Sequence, residues 1–443
     1  MTPSTIDSLE RPDAADVADA WPALYGEERL EAFSLLGREQ AEDLFFTLSS
    51  VDQVDLVLAL PQGERRSWLR LLPPDDAADF VQAAARDRRD ELLALLDDQT
   101  RREVKALLIY ADDVAGGLMS PRYARLRPDM NVDEALAYLR RQARTRLETI
   151  NYAYVLDEEQ RLIGVVSLKQ LFRAQPTAIV RDLMKTELVT VVADMDQEAV
   201  SRLFQRHDFT ALPVIDQTGR MQGVVTADDI VHVVQEEATE DIQKMGGSEA
   251  LDAPYSSVGF WPMVKKRGGW LSALFLGEML TATAMAYFED EIAKAVVLAL
   301  FVPLIISSGG NSGSQASTIL VRALALGEVR LSQWWRVARR EVMTGVVLGC
   351  LLGTLGALRI LVWQAFTPTY GPHYLLVAGT VSASLIGVVT FGTVAGSMLP
   401  FVLRKLGFDP ASASAPFIAT LVDVSGLVIY FTVASAVMGG VVL

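Results

Sequence analysis

Hydrophobic and polar positions change rhythm three times along this chain of 443 residues. From about residue 28 to 108, apolar side chains recur at three- and four-residue spacing in short runs (EAFSLLGREQAEDLFFTL, VDQVDLVLAL, RRSWLRLLPPDDAADFVQAA, RDELLALL). That period predicts amphipathic helices, each too short to bury its own stripe, which should stack into a helical layer or superhelix. Across roughly 119–237 the rhythm becomes a repeat. PDMNVDEALAYLRR leads to NYAYVLDEEQRLIGVVSLKQLFRA, and ADMDQEAVSRLFQRHDF leads to TALPVIDQTGRMQGVVTADDIVHVV. Each copy reads as a helix, two β-rich strands around a turn, then a helix. DDIVHVVQEEATEDIQKM continues as one helix towards Gly246–Gly247, a C-cap. Five apolar stretches follow, at about Gly268–Phe288, Lys294–Leu324, Val342–Ala365, Leu375–Val402 and Ser412–Val441. Crossing a bilayer takes roughly 20 mostly apolar residues, so each stretch is long enough.

The expected architecture is a multi-domain α plus α/β soluble region joined to an all-α membrane domain. Its parts are an acidic helical N-domain (1–118), the duplicated unit (119–237), a connecting helix and linker (228–267) and five transmembrane helices (268–443). Basic residues set the orientation. Lys265, Lys266 and Arg267 precede the first apolar stretch; Arg330, Arg336, Arg339 and Arg340 join the second to the third; Arg404 and Lys405 join the fourth to the fifth. The intervening loops carry Glu289, Asp290 and Glu291, or no charge around Pro368–His373. The N-terminus is therefore expected inside and the C-terminus outside, in a multi-pass protein of the cell (inner) membrane. The opening residues MTPSTIDSLERPDAADVADA lack the basic and apolar regions of a secretory signal.

Charge separates the two halves. Eight acids and nine bases follow residue 267, so the whole net charge of −15 rests on the residues before it. An acidic surface repels nucleic acid and anionic lipid and suits cations, although solubility alone also accounts for it. Cys350 is the only cysteine, and His207, His232 and His373 lie far apart. That leaves no disulfide framework, zinc pattern or nucleophilic triad, and no enzymatic chemistry is expected.

Asp423 is the only charged residue between Ala411 and the C-terminus. A carboxylate at the middle of a membrane helix costs roughly 2.5–3.5 kcal/mol even on insertion scales, so it is usually paired, or faces a bundle interior or an ion path. Thr420, one turn earlier, shares its face. In the second apolar stretch, FVPLIISSGGNSGSQASTILVRAL places Asn311, Ser314 and Gln315 at membrane depth. Gly309–Gly310 is expected to relax the helix there, freeing carbonyls towards a watery path. Small residues also permit close helix packing, but packing does not require Asn and Gln. Glu278 is a second intramembrane acid, either an ionic group or a snorkelling or helix-paired carboxyl near a bundle surface.

The Gly-Val-Val-Ser/Thr elements beginning at Gly164 and Gly223 make the duplicate resemble a pair of CBS domains. In CBS pairs that bind adenine nucleotides, an Asp three residues after the Ser/Thr holds the ribose. Thr226 and Asp229 match that pattern, whereas Ser167 is followed by Gln170, so ATP is expected to bind weakly or in an altered pose. With YADDVAGGLMSP, EEATEDIQKMG, GGNSGSQAS and PFIATLVDVSGLVIY, nearly the whole chain resembles the MgtE family of magnesium channels and transporters. The resemblance implies a homodimer with a pore on the twofold axis and the connecting helix as a plug. It implies Asp423 as the pore acid, with the Ala419 carbonyl beside it. For regulatory Mg²⁺ it implies Asp43, Asp75, Asp79, the Gly117 carbonyl, Glu198, Asp208, Asp229, Glu237, Glu240, Asp241 and Asp409. His232 stands where the family pattern is acidic, and Ser314 replaces a second Asn. The resulting expectation is a Mg²⁺-selective channel that cytoplasmic Mg²⁺ closes. A proton-coupled divalent-cation carrier and a membrane-tethered sensor that does not conduct are the rivals.

Overall fold

The computed structural model describes residues 13–144, 147–207, 209–251, 255, 258–294, 296–367 and 369–439. The chain divides into two compact units, one ending at Glu236 and the other beginning at Glu237. Among the described residues the first opens with eight short α-helices: α1 (Ala14–Ala20), α2 (Glu27–Ser34), α3 (Arg38–Thr47), α4 (Ser50–Ala59), α5 (Gln62–Leu69), α6 (Pro74–Ala83), α7 (Arg89–Leu95) and α8 (Asp98–Leu107). Side-chain caps start several of them. Asp13 and Asp16 form a capping box, Ser49 accepts from the Asp52 N–H, and Asp97 accepts from Gln99 and Thr100. Their apolar stripes converge on Trp68, whose ring lies 5.1 Å from Phe33 and 5.2 Å from Phe45. The same core continues through Val191, Val200, Val214 and Val225, so these helices share one interior with the second repeat.

The duplicated region holds α9 (Ala115–Leu118), β1 (Arg125–Leu126), α10 (Val132–Gln142), β2 (Tyr152–Leu156), β3 (Leu162–Ser167), α11 (Leu168–Arg173), α12 (Val180–Leu183), β4 (Val191–Val192), α13 (Gln197–His207), β5 (Ala211–Ile215), β6 (Met221–Thr226) and α14 (Ala227–Met245). Its two three-stranded sheets share one plan. The first strand runs parallel to the second, which pairs antiparallel with the third. Tyr152 pairs with Ser167 as Ala211 pairs with Thr226, and each sheet has a register shift at the matching place, after Val155 and after Val214. The copies meet at their hairpin turns, where the Leu162 N–H donates to the Gly219 carbonyl and the Met221 N–H to that of Gln160. The two-residue strands β1 and β4 carry too little alternation to register in the apolar pattern.

The second unit contains α15 (Phe260–Tyr287), α16 (Glu289–Lys294), α17 (Val296–Ala299), α18 (Val302–Ala325), α19 (Trp334–Phe366), α20 (Tyr374–Lys405) and α21 (Ala415–Met438). Five helical segments among the described residues are long and apolar enough to cross a membrane: Phe260–Tyr287, Val296–Ala325, Leu331–Phe366, Tyr374–Lys405 and Ala415–Met438. The end of the fifth predicted stretch, at Val441, lies outside the described residues. α15 starts well before Gly268 because Lys265, Lys266 and Arg267 continue the helix beyond the apolar run.

One expectation is corrected. Gly309–Gly310 does not open the second span: α18 runs unbroken through it, and the interruption falls earlier, at Leu300–Phe301 between α17 and α18. Packing explains the difference. A Cβ at Gly392 would run into the Gly309 carbonyl, and one at Gly396 into the Gly313 carbonyl. The glycines of α18 and α20 therefore let two backbones touch, and that contact outweighs their poor helix propensity. Pro303, in the first turn of α18, lacks an N–H and suits a helix start rather than an interior.

Candidate functional site

Two groups of acids and one ion-paired triad carry the chemistry. The first group lies in the membrane unit. Ser414 caps α21 by accepting from the Phe417 N–H at 3.3 Å, and it also receives the Trp270 indole N–H at 3.3 Å. This pins the start of α21 against α15. One turn on, Ala419 faces α18, where a Cβ at Gly310 would come 3.6 Å from the Ala419 Cα. A Cβ at Gly277 would come 3.0 Å from the Thr420 methyl on the α15 side. Asp423, half-buried one turn further, lies within hydrogen-bonding reach of Glu278. Two intramembrane acids, far apart in sequence, thus face each other across α15 and α21. Asn311 and Gln315 are exposed on one face of α18, with Asn311 reaching Ser307 at 3.5 Å, while Ser314 donates to the Ala415 carbonyl at 3.4 Å. The buried face of α18 is lined instead by Ser312, bonded to Thr393 at 2.7 Å, and Ser317, donating to Ala413 at 2.8 Å. Ser312 and Ser317 therefore serve packing, whereas Ser307, Asn311 and Gln315 stay on the exposed face.

The second group lies in the first unit, where α6 meets the start of α14. Asp75 is only 6% exposed, and its Oδ1 has no hydrogen-bond partner among the described residues. Burial, then the charges of Glu148, Asp229 and Asp76, hold its carboxyl well above the usual range. Asp79 is pushed up to about 8 by burial and by Asp76, Asp112, Asp229 and Glu236. Asp76 rises to about 6 through burial and the charges of Asp229 and Asp228, with His232 pulling the other way. Burial also lifts Asp229 to about 6, against the Thr226 hydroxyl and N–H, which bond its Oδ2 at 2.6 and 3.1 Å. Asp75 is buried and Asp76, Asp79 and Asp229 are partly exposed, and carboxylates whose charges act on one another in this way call for protons or cations. Among the described residues, no three His, Cys, Asp or Glu side chains form a ready metal cage. The donor chemistry fits a hydrated divalent ion, which is held by a few oxygens through its own waters.

Asp75, Asp79 and Asp229 are among the positions the family resemblance implies, whereas Asp76, Asp112, Glu148, Asp228 and Glu236 are not. Asp76 and Asp228 each adjoin a named acid, a signal that was available. Glu148 comes from a loop whose position only the fold supplies. Of the remaining expected positions, Gly117 is buried in α9 against the Ala111 carbonyl, so a side chain there would collide with backbone. Asp43 is exposed on α3 and is not among the charges acting on this group. Glu198 pairs with Arg202 at 2.6 Å. Asp208 lies outside the described residues. Glu237, Glu240 and Asp241 sit on α14. Lys244, one turn after Glu240, pairs with both Glu240 and Asp409. Burial works against its charge, but those two carboxylates outweigh burial and raise its pKa.

A membrane bundle with opposed carboxylates, in a chain that also carries an acid-rich unit, is the build of a cation transporter. Family models agree: residues 302–433 match MgtE, a divalent cation transporter, residues 13–113 the MgtE intracellular N domain, and residues 112–177 and 180–236 CBS domains. The chain is 41% identical over 436 residues to the magnesium transporter MgtE of Thermus thermophilus, covering 98% of this chain and 95% of that protein. It is 31% identical over 435 residues to the magnesium transporter MgtE of Bacillus subtilis, covering 98% and 93%. A crystal structure of the cytosolic domain of the Mg²⁺ channel MgtE in complex with ATP is 42% identical, covering 51% of this chain and 92% of its own, with a TM-score of 0.47. The chain belongs to the MgtE family of multi-pass membrane transporters and is not an enzyme.

Proposed function

We propose that this protein conducts Mg²⁺ across the cell membrane as a homodimeric channel, with its N-terminus in the cytoplasm and cytoplasmic Mg²⁺ closing it. The observation that carries the reading is the approach of Asp423 and Glu278 at membrane depth, beside Ala419, Thr420 and the glycines of α18. Two carboxylates there, repeated by a twofold axis, favour a divalent cation over a monovalent one. They can attract it without stripping its water, which suits an ion that dehydrates reluctantly. Asn311 and Gln315, free of the packed face of α18, extend a polar lining along the same path.

Closure is assigned to oxygen donors outside the membrane helices: Asp43, Asp75, Asp79, the Gly117 carbonyl, Glu198, Asp208, Asp229, Glu237, Glu240, Asp241 and Asp409. Without a counter-ion, Asp75, Asp79 and Asp229 repel one another and oppose the compact arrangement of α6 and α14. Bound Mg²⁺ supplies the compensating positive charge. A ligand biases such an equilibrium only through its differential affinity, and here only the compact state gathers the carboxylates. ATP is given a minor part, because Gln170, which accepts from the Ser167 N–H at 2.8 Å and hydroxyl at 2.9 Å as Asp229 does from Thr226, offers a ribose diol an amide in place of a carboxylate.

The test is Mg²⁺ flux into liposomes that contain only the purified protein. Wild type is expected to conduct, and Asp423→Ala to lose at least nine-tenths of the flux. Wild-type flux in that variant would refute the pore assignment, and an absence of flux in wild type would favour the sensor. Flux that requires a proton gradient would favour the carrier.

A further inference from the structure

Lys244 is a cation already in place where the ligand assignment puts a metal. Its Nζ lies 2.7 Å from Asp409 Oδ2 and also pairs with Glu240 one turn back on α14. The other Asp409 oxygen accepts the Ala411 N–H at 2.8 Å and so starts the 3₁₀ turn Pro410–Ser412 ahead of α21. One ammonium therefore ties the end of α14 to the entry of the last membrane helix. The three side chains are partly open, at 28% for Lys244, 37% for Glu240 and 36% for Asp409, so a hydrated ion can reach the carboxylates. An ammonium and a divalent ion cannot share them cheaply, since like charges at such range repel. The lysine stem is flexible enough to swing aside.

We propose that Lys244 is a built-in competitor for the divalent cation at Glu240 and Asp409, so that its displacement sets how much cation this end of α14 requires. The inference rests on reading those two acids as cation ligands. An ion that takes the site exchanges one positive partner for another of twice the charge, and the Asp409 bond to Ala411 survives the exchange. Lys244 thus raises the cation concentration at which the site fills while keeping the carboxylates paired below it. A simple structural tie would act in the opposite direction: without it, the two carboxylates would lose their spacing and bind metal less well.

The experiment is a Mn²⁺ titration of the full-length protein in detergent, followed by electron paramagnetic resonance of the free ion. Partly exposed ion pairs are individually weak, so Lys244→Gln is expected to lower the midpoint for one Mn²⁺ by roughly threefold to tenfold. Asp409→Asn is expected to remove one bound Mn²⁺. In the unmutated protein, amine labelling read by mass spectrometry should modify Lys244 faster with Mg²⁺ than without, which tests the displacement even if Lys244→Gln fails to fold. An unchanged or higher midpoint in Lys244→Gln, or Lys244 labelling indifferent to Mg²⁺, overturns the competition while leaving the ligand reading intact. Full Mn²⁺ occupancy in both Asp409→Asn and Glu240→Gln overturns the ligand reading, and the competition with it.

Discussion

At the scale of single residues, the instructive contrast is between Asp423 and Glu278. Asp423 stands out because nothing else in its apolar stretch carries charge, whereas Glu278 reads equally as an ionic group or as a snorkelling or helix-paired carboxyl. On the proposed channel reading, their approach in the fold gives them a common task with unequal weight. Glu278→Gln keeps the shape and removes one of two charges, so Mg²⁺ flux should saturate at a several-fold higher concentration, while Asp423→Asn should lose Mg²⁺ selectivity altogether. Concentration series in proteoliposomes would show it; identical saturation in Glu278→Gln and wild type would remove Glu278 from the ion path. Gln170 offers a second test. It accepts from the Ser167 N–H and hydroxyl as Asp229 accepts from those of Thr226, so Gln170→Asp should fold normally. It should also strengthen ATP binding several-fold by calorimetry, because a carboxylate suits a ribose diol better than an amide. Unaltered affinity would separate this position from the nucleotide.

At the scale of elements, helix contacts in the membrane unit rest on the absence of side chains. A Cβ at Gly349 would come 2.6 Å from the Ile386 Cα, and one at Gly345 would come 2.7 Å from the Thr390 Cα. Together with Gly309, Gly313, Gly392 and Gly396, these positions bring α18 and α19 against α20 at backbone distance. Gly349→Val should therefore force the α19–α20 contact apart, and overpacking of this kind costs on the order of 1–3 kcal/mol. The thermal midpoint of the detergent-solubilised protein should fall by several degrees. Gly379→Ala serves as a control, since a Cβ there meets nothing within 4 Å. Equal losses in both variants would show that helix content, not the contact, was being measured.

At the scale of the molecule, the acid cluster of the first unit makes stability depend on pH with a definite sign. Asp79 near 8, and Asp76 and Asp229 near 6, all stand above the ordinary value of 3.8. The folded form then holds more protons than the unfolded chain between about pH 4 and pH 8, and stability falls as pH rises through that window. Without divalent cation, the first unfolding transition of the full chain should lie several degrees higher at pH 5 than at pH 8. Millimolar Mg²⁺ should recover most of the difference at pH 8, where the ligands are deprotonated, and little at pH 5. A cation-free transition that rises with pH would show that these acids are not compressed in the folded state.

Local information was enough for the order of parts: helical layer, duplicated α/β unit, connecting helix, membrane bundle. Each is set by the period of its own apolar residues and by caps within a few positions, such as Asn131 with Glu134 or Ser414 before α21. Asp423 was legible as an isolated intramembrane carboxylate for the same reason, since a charge in an apolar run stands out wherever the run is packed. What the tertiary structure alone decided are the encounters: Glu278 with Asp423, Glu148 with Asp75, Lys244 with Asp409, and the unbroken course of α18 through Gly309–Gly310. Each depends on which helix faces which, and that is chosen by packing summed over whole elements rather than by the residues in contact. A glycine pair reads as a weak point until a neighbouring backbone fills the space beside it.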